Sequence, residues 1–217
     1  MKWMLPLFLV CSLALPSVSR GAGPTLTYLT EESPPENYTE NGELKGLAVE
    51  LLQRMWDKMG MKRGEIQVVP WARGYKDVQN IPNTVLFAMT RLDEREKMFK
   101  WVGPIRTTHF ALVAQKQSKI KINSLDDLKK HRVVTVINDG TEVLLIQKGY
   151  KEYLDQSNNL KSALQKLQLH RADLIAYGEQ NLKYYMLTNG INPKDYTVVY
   201  TLSKSSDYYA FHKDTRD

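Results

Sequence analysis

TRLDEREKMFKWVGPI, residues 90–105, is the stretch from which the rest of the chain can be read. It follows the apolar run 85–89 (Val-Leu-Phe-Ala-Met), which has the look of a fully buried strand. Thr90 closes that run, Arg95 comes five residues later, and an aromatic–apolar strand begins at 101–105. A guanidinium is planar, permanently charged and offers two parallel donors that match the two oxygens of a carboxylate. A hydroxyl close by adds a further donor. The segment TRLDEREK also holds three basic and three acidic residues, which fits a solvated helix face. The Thr–Arg pairing therefore takes its meaning from its surroundings.

Working outward, helical and strand patterns alternate, which predicts an α/β fold with largely parallel sheets. Residues 26–30 read as a first strand. Leu47, Leu51 and Met55, with Leu52, Trp56 and Met59, mark an amphipathic helix stopped by Gly60. Ile66 and Val68, before Pro70, form a second strand and 85–89 a third. Ser124 with Asp127 resembles a helix-starting capping box, with Asp in place of Glu. Beyond it come a β-branched strand at 132–137, helices over 142–148 and 160–169, and a strand at 172–176. A helix over 180–187 ends at Gly190, and the last strands fall at 196–202 and 208–211.

Residues 1–22 read as a secretory signal: Lys2, then an apolar stretch from Trp3 to Leu15, then small residues at Ser17, Ser19 and Ala22. Cleavage is expected after Ser19 or Ala22. The single cysteine, Cys11, lies inside that leader, so the mature chain has no thiol for disulfides, nucleophilic catalysis or metal binding. Net charge is +6, of which Lys2 and Arg20 leave with the leader. Basic residues cluster between Lys116 and Arg132 without interleaved aromatics. That is a solvated face rather than a nucleic-acid surface. A soluble, periplasmic monomer is expected.

The order of elements, with Thr90–Arg95 in its place, resembles the bacterial extracytoplasmic solute-binding proteins of family 3, the amino-acid ABC-transporter type. The resemblance implies a two-lobed type II periplasmic-binding-protein-like fold, each lobe a mostly parallel sheet flanked by helices, with two hinge crossings. Lobe 1 would take residues 23–108, lobe 2 residues 109–205, and 206–217 would return to lobe 1. Relatives finish with one or two further helices, so this return reads as truncated.

The same resemblance implies a ligand site. Thr90 and Arg95 would grip a ligand carboxylate, with Gly140 and Thr141 reaching it from lobe 2 through a helix N-terminus. Thr141 also reads simply as a cap. Tyr38 and Trp71 would enclose the ligand, Arg73 would add a positive group, and Glu31 would meet an amino group. Tyr38 and Trp71 fit ordinary packing as well. Gly178 stands where amino-acid binders carry an α-amino-binding Asp, so either the adjacent Glu179 substitutes or the ligand lacks that amine.

No cofactor or metal is expected: the four histidines are scattered, and no GxSxG, GxGxxG, P-loop or HExxH string occurs. The expected partners are a small carboxylate-bearing molecule and a membrane permease or, alternatively, a membrane sensor. An enzymatic alternative survives by resemblance, because some periplasmic cyclohexadienyl dehydratases share this fold. Glu179 or Glu142 would then act as acid or base.

Overall fold

The computed structural model describes residues 25–216, so the predicted leader lies outside the described residues. The described residues form ten strands and five α-helices. The order is β1 (Thr27–Thr30), β2 (Tyr38–Glu40), β3 (Glu43–Lys45), α1 (Leu47–Lys58), β4 (Ile66–Val68), α2 (Trp71–Asn80), β5 (Thr84–Thr90) and β6 (Phe99–Gln115). Then follow β7 (Val133–Val136), α3 (Gly140–Gln147), β8 (Leu154–Ser157), α4 (Leu160–Gln168), β9 (Leu174–Gly178), α5 (Glu179–Thr188) and β10 (Tyr196–His212).

Eight strands run in the order β4-β1-β5-β10-β6-β9-β7-β8. The outer triplets, β4-β1-β5 and β9-β7-β8, are parallel. Between them lie β6 and β10, each 17 residues long, paired antiparallel to one another and to their flanking strands. β10 pairs with β5 through Asp207–Phe211, whereas β6 pairs with β9 through Phe110–Val113. The ribbon of β6 and β10 thus runs out of one half of the sheet and into the other. Two separate final strands were expected, but one continuous strand forms. Polar residues 203–206 do not break it, because it bends at three register shifts instead.

Each half is covered on both faces, which is why β5 and β7 are buried along their whole length or nearly so. On one face of the first half, Ala48, Val49, Leu52 and Trp56 of α1 pack on Tyr28, Val85, Phe87 and Tyr209. On the other, Trp71 and Val78 of α2 pack on Leu29, Leu86, Met89 and Phe99. In the second half, α4 and α5 cover one face through Leu164, Leu167, Leu182 and Met186, and α3 sits on the other with Leu145.

The Ser124–Asp127 capping box forms, but it opens a 3₁₀ helix, Leu125–Lys130. Asn41 and Gly42, both at positive φ (54° and 81°), make the two-residue turn between β2 and β3. Ala88 also has positive φ (58°). It is the extra residue of a bulge, since Tyr208 pairs with Met89 while Tyr209 pairs with Phe87.

Candidate functional site

A cleft opens where the two halves face each other across the β6–β10 ribbon. The first half supplies Glu31 and Ser33 from the loop after β1, Trp71 from the start of α2, Thr90 from the end of β5, and Arg95. The ribbon supplies Thr108, Phe110 and Asp207, and the second half Asp139, Gly140, Tyr177 and Asn181. Local structure explains each placement. The bulge at Ala88 lies beside the cleft, and a 3₁₀ turn, Asp93–Arg95, folds the chain back so that Arg95 is buried despite its highly charged neighbours. Pro70 caps α2 and puts Trp71 at its first position, over the strand ends.

Contacts across the cleft hold the halves together. Arg95 Nη2 donates to Asn138 O at 2.7 Å, as does Trp71 Nε1 at 2.9 Å. Arg95 Nη1 donates to Thr90 O at 3.0 Å, and the guanidinium lies 5.1 Å from the Tyr75 ring centre. Nearer the ribbon, Asn181 donates to Glu36 Oε2 (2.6 Å) and Ser33 Oγ (3.2 Å), and accepts from Arg106. Arg106 Nε sits 2.6 Å from Glu36 Oε1 and 3.5 Å from Asp207 Oδ2. About 40 Å3 is left for the centre of a water-sized sphere, enough for a few waters and too little for an amino acid.

The hydroxyls expected to grip an acid are already engaged. Thr90 Oγ1 donates to Asp207 Oδ1 at 2.7 Å. Thr141 Oγ1, fully buried, has Asp139 Oδ1 at 2.6 Å and Ala176 O at 2.9 Å for its single proton. The N-terminus of α3 is capped by Asp139, which accepts from Thr141 N at 2.8 Å. Burial pushes the Glu31 carboxyl up to about 8, with the charges of Asp139 and Glu32 adding to it. Burial likewise raises Asp207 to about 6 against the opposing Thr90 hydrogen bond and Arg106, and raises Asp139. Burial lowers the Arg95 guanidinium.

Of the nine residues singled out from the sequence, Glu31, Trp71, Thr90, Arg95 and Gly140 line the cleft, and Thr141 lies just behind it. Tyr38 stands in an adjoining groove with Tyr184 and Tyr185, which shares Ser33, Tyr177 and Asn181 with the cleft, its ring 6.2 Å from that of Tyr184. Arg73 faces solvent on the outer side of α2, 3.5 Å from Asp77. Glu179, at the first turn of α5, lines a groove with Leu182, Lys183 and Val113 on another face. Glu142 is held by Thr135, Asn138 N and Gln156, which makes it a brace of the β7–α3 turn. Asp139, Asp207, Tyr177 and Asn181 were missed. Asp207 had a faint signal, as a lone acid between a serine-rich stretch and a run of aromatics.

The sequence profile of the bacterial extracellular solute-binding proteins, family 3, matches residues 26–189, most of the chain. The chain belongs to that family. Solved structures similar to this family 3 chain share its two-lobed type II fold. One is a histidine kinase sensor domain with similarity to periplasmic binding proteins, at 19% identity and TM-score 0.76, covering 87% of this chain and 83% of that one. Another is the arginine-bound Gly52Ala mutant of ArgBP from T. maritima, at 18% and 0.72, covering 87% and 88%. A third is a histidine-bound substrate-binding protein of an ABC uptake transporter from Streptococcus pneumoniae, at 16% and 0.75, covering 87% and 80%. No curated protein sequence matches the chain. Among the described residues, no helix of this family member is long and apolar enough to cross a membrane, and no group of metal-ligating side chains forms.

Proposed function

We propose that this family 3 protein captures a small, carboxylate-bearing, amino-acid-like solute outside the cytoplasm, closes its lobes around it and presents the closed form to the permease of an ABC-type importer. The observation that carries this reading is the cleft, in which Arg95 and Trp71 of one lobe meet Asn138 of the other around a space open to a ligand only when the lobes part. Groups on both lobes contact a bound solute only in the closed form. Binding therefore shifts an open–closed equilibrium toward closure. Arg95 Nε, buried and without a hydrogen-bond partner among the described residues, is a donor waiting for a ligand acceptor. The amino-acid ligands of the similar ABC-transporter and arginine-binding proteins support the ligand class.

Calorimetric titration with amino acids tests this reading. Arg95→Ala is expected to lower affinity at least tenfold, and unchanged binding removes Arg95 from the site. Likeness to a histidine kinase sensor domain favours a second reading, in which the same closure is read by a membrane sensor. Import of the bound solute by cells that carry the protein, lost on its deletion, decides for the transporter.

A further inference from the structure

The acidic and basic groups around the cleft are not matched in number. Three carboxylates line it, Glu31, Asp139 and Asp207, against one guanidinium, Arg95. The next charges outward, Glu36 and Arg106, are paired at 2.6 Å and leave the difference unchanged. The donors that would suit an anionic ligand are mostly committed to the protein. Thr90 Oγ1 gives its proton to Asp207, and Asp139 occupies the start of α3. Two of the Arg95 donor groups end on the carbonyls of Thr90 and Asn138. Acceptors, by contrast, are in surplus. The Glu31 carboxylate makes no hydrogen bond among the described residues, and Asp207 Oδ2 has Arg106 no nearer than 3.5 Å. Carboxylates crowded in a narrow cleft without enough positive partners are costly, and a cation brought in by a ligand relieves that cost.

Resting on the solute-binding reading above, we infer that the ligand is a net-cationic amine or guanidine, its positive group held by Glu31, Asp139 and Asp207. Asp207 comes from the ribbon and Glu31 from the loop after β1. Arg95 Nε, unpartnered and on a side chain only 1% exposed, adds a demand for one acceptor on the same ligand. A cationic amino acid meets that demand with its carboxylate, and a diamine leaves it to water. Both bring the positive charge that the cleft lacks.

The carboxyls of Glu31 and Asp207 are raised by burial, so a bound cation favours their ionised forms and expels protons. Tyr177 is also pushed upward, by burial and then by Asp139, Glu31 and Glu36, and stays neutral. Glu36 and Arg106 stay paired behind the site.

The test is calorimetric titration of the protein with arginine, lysine, agmatine, cadaverine, glutamine and glutamate, each in two buffers of different ionisation heat. At least one cationic compound is expected to bind tenfold or more tighter than glutamine, with protons released at pH 7 and affinity rising from pH 6 to pH 8. Glu31→Gln, which removes no hydrogen bond of the described residues, should weaken cation binding at least tenfold and reduce proton release. Asp207→Asn should weaken binding similarly. Binding of arginine without agmatine places the ligand carboxylate at Arg95, and equal binding of the two places only the cation; both agree with the inference. Preference for glutamine or glutamate overturns it while leaving the solute-binding function standing. Silence across the panel, from protein with a cooperative melt, overturns both.

Discussion

Arg106 is the residue whose loss should be felt most widely, because it is the cation beside two buried carboxylates. Its guanidinium is 2.6 Å from Glu36 and 3.5 Å from Asp207, and the Glu36 side chain is 1% exposed. Replacing it by Met keeps much of the volume and leaves both acids uncompensated. Removing one partner of a buried pair costs about 3–5 kcal/mol. For a chain of this size that is roughly 6–20 °C in Tm. The loss should depend on pH in a definite direction. Burial already raises Glu36 to about 7 against the pull of Arg106, and Asp207 to about 6. Acids raised in the folded state keep protons that the unfolded chain has lost. Stability therefore falls as pH climbs from the unfolded values through these folded ones. At pH 5 both carboxyls are largely neutral and Arg106 has little to hold, whereas at pH 8 its absence is felt in full. Thermal melts of Arg106→Met against the parent should show a Tm loss at pH 8 at least twice that at pH 5. Adding Glu36→Gln should recover half or more of the pH 8 loss. Equal losses at the two pH values, or no recovery in the double variant, would refute the account of the cluster as charge compensation.

Two further outcomes follow from the cleft. Ligand-free protein should be more resistant to urea at pH 5 than at pH 8, because Glu31, Glu36 and Asp207 are all shifted upward, each contributing at most about 1.4 kcal/mol per pH unit. Glu31→Gln should flatten the dependence, and a stability that rises with pH contradicts it. A Cβ at Gly140 would stand 2.6 Å from Phe110 Cζ and 3.2 Å from Thr90 Cβ. Gly140→Ala should therefore wedge the lobes apart, with a larger radius of gyration in small-angle scattering. An unchanged radius would show that Phe110 yields instead.

The elements with strong periodicity were legible from sequence. The i, i+4 spacing of Leu47, Leu51 and Met55 and the apolar runs of β5 and β7 led directly to α1 and those strands. α2 was hidden because Gly74 interrupts it and because Trp71, Tyr75 and Val78 make a sparse stripe inside a polar sequence. Gly74 is there because Leu86 and Val69 come within 3.0 and 3.2 Å of where its Cβ would be. In the cleft, Thr90 and Arg95, paired by their spacing in the sequence, both stand on the wall. A short motif specifies where a side chain starts. It says nothing of Asp207, 117 residues away, which takes the Thr90 proton. Glu179 shows the same limit, since one residue of phase at a helix start turns a side chain to another face.

The strand order has a consequence for how the molecule is made. β10 is the last strand of the described residues, yet it lies in the middle of the sheet, between β5 and β6. Until residues 196–212 leave the ribosome, β5 and the first part of β6 both present a bare backbone edge, and the first lobe has no complete sheet. The second lobe's β9-β7-β8 set, by contrast, closes on the far part of β6 without waiting for β10. The first lobe's sheet therefore depends on pairings between residues far apart in sequence, which slow folding. Until β10 docks, the bare β5 edge is the part of the first lobe most open to pairing with a foreign strand.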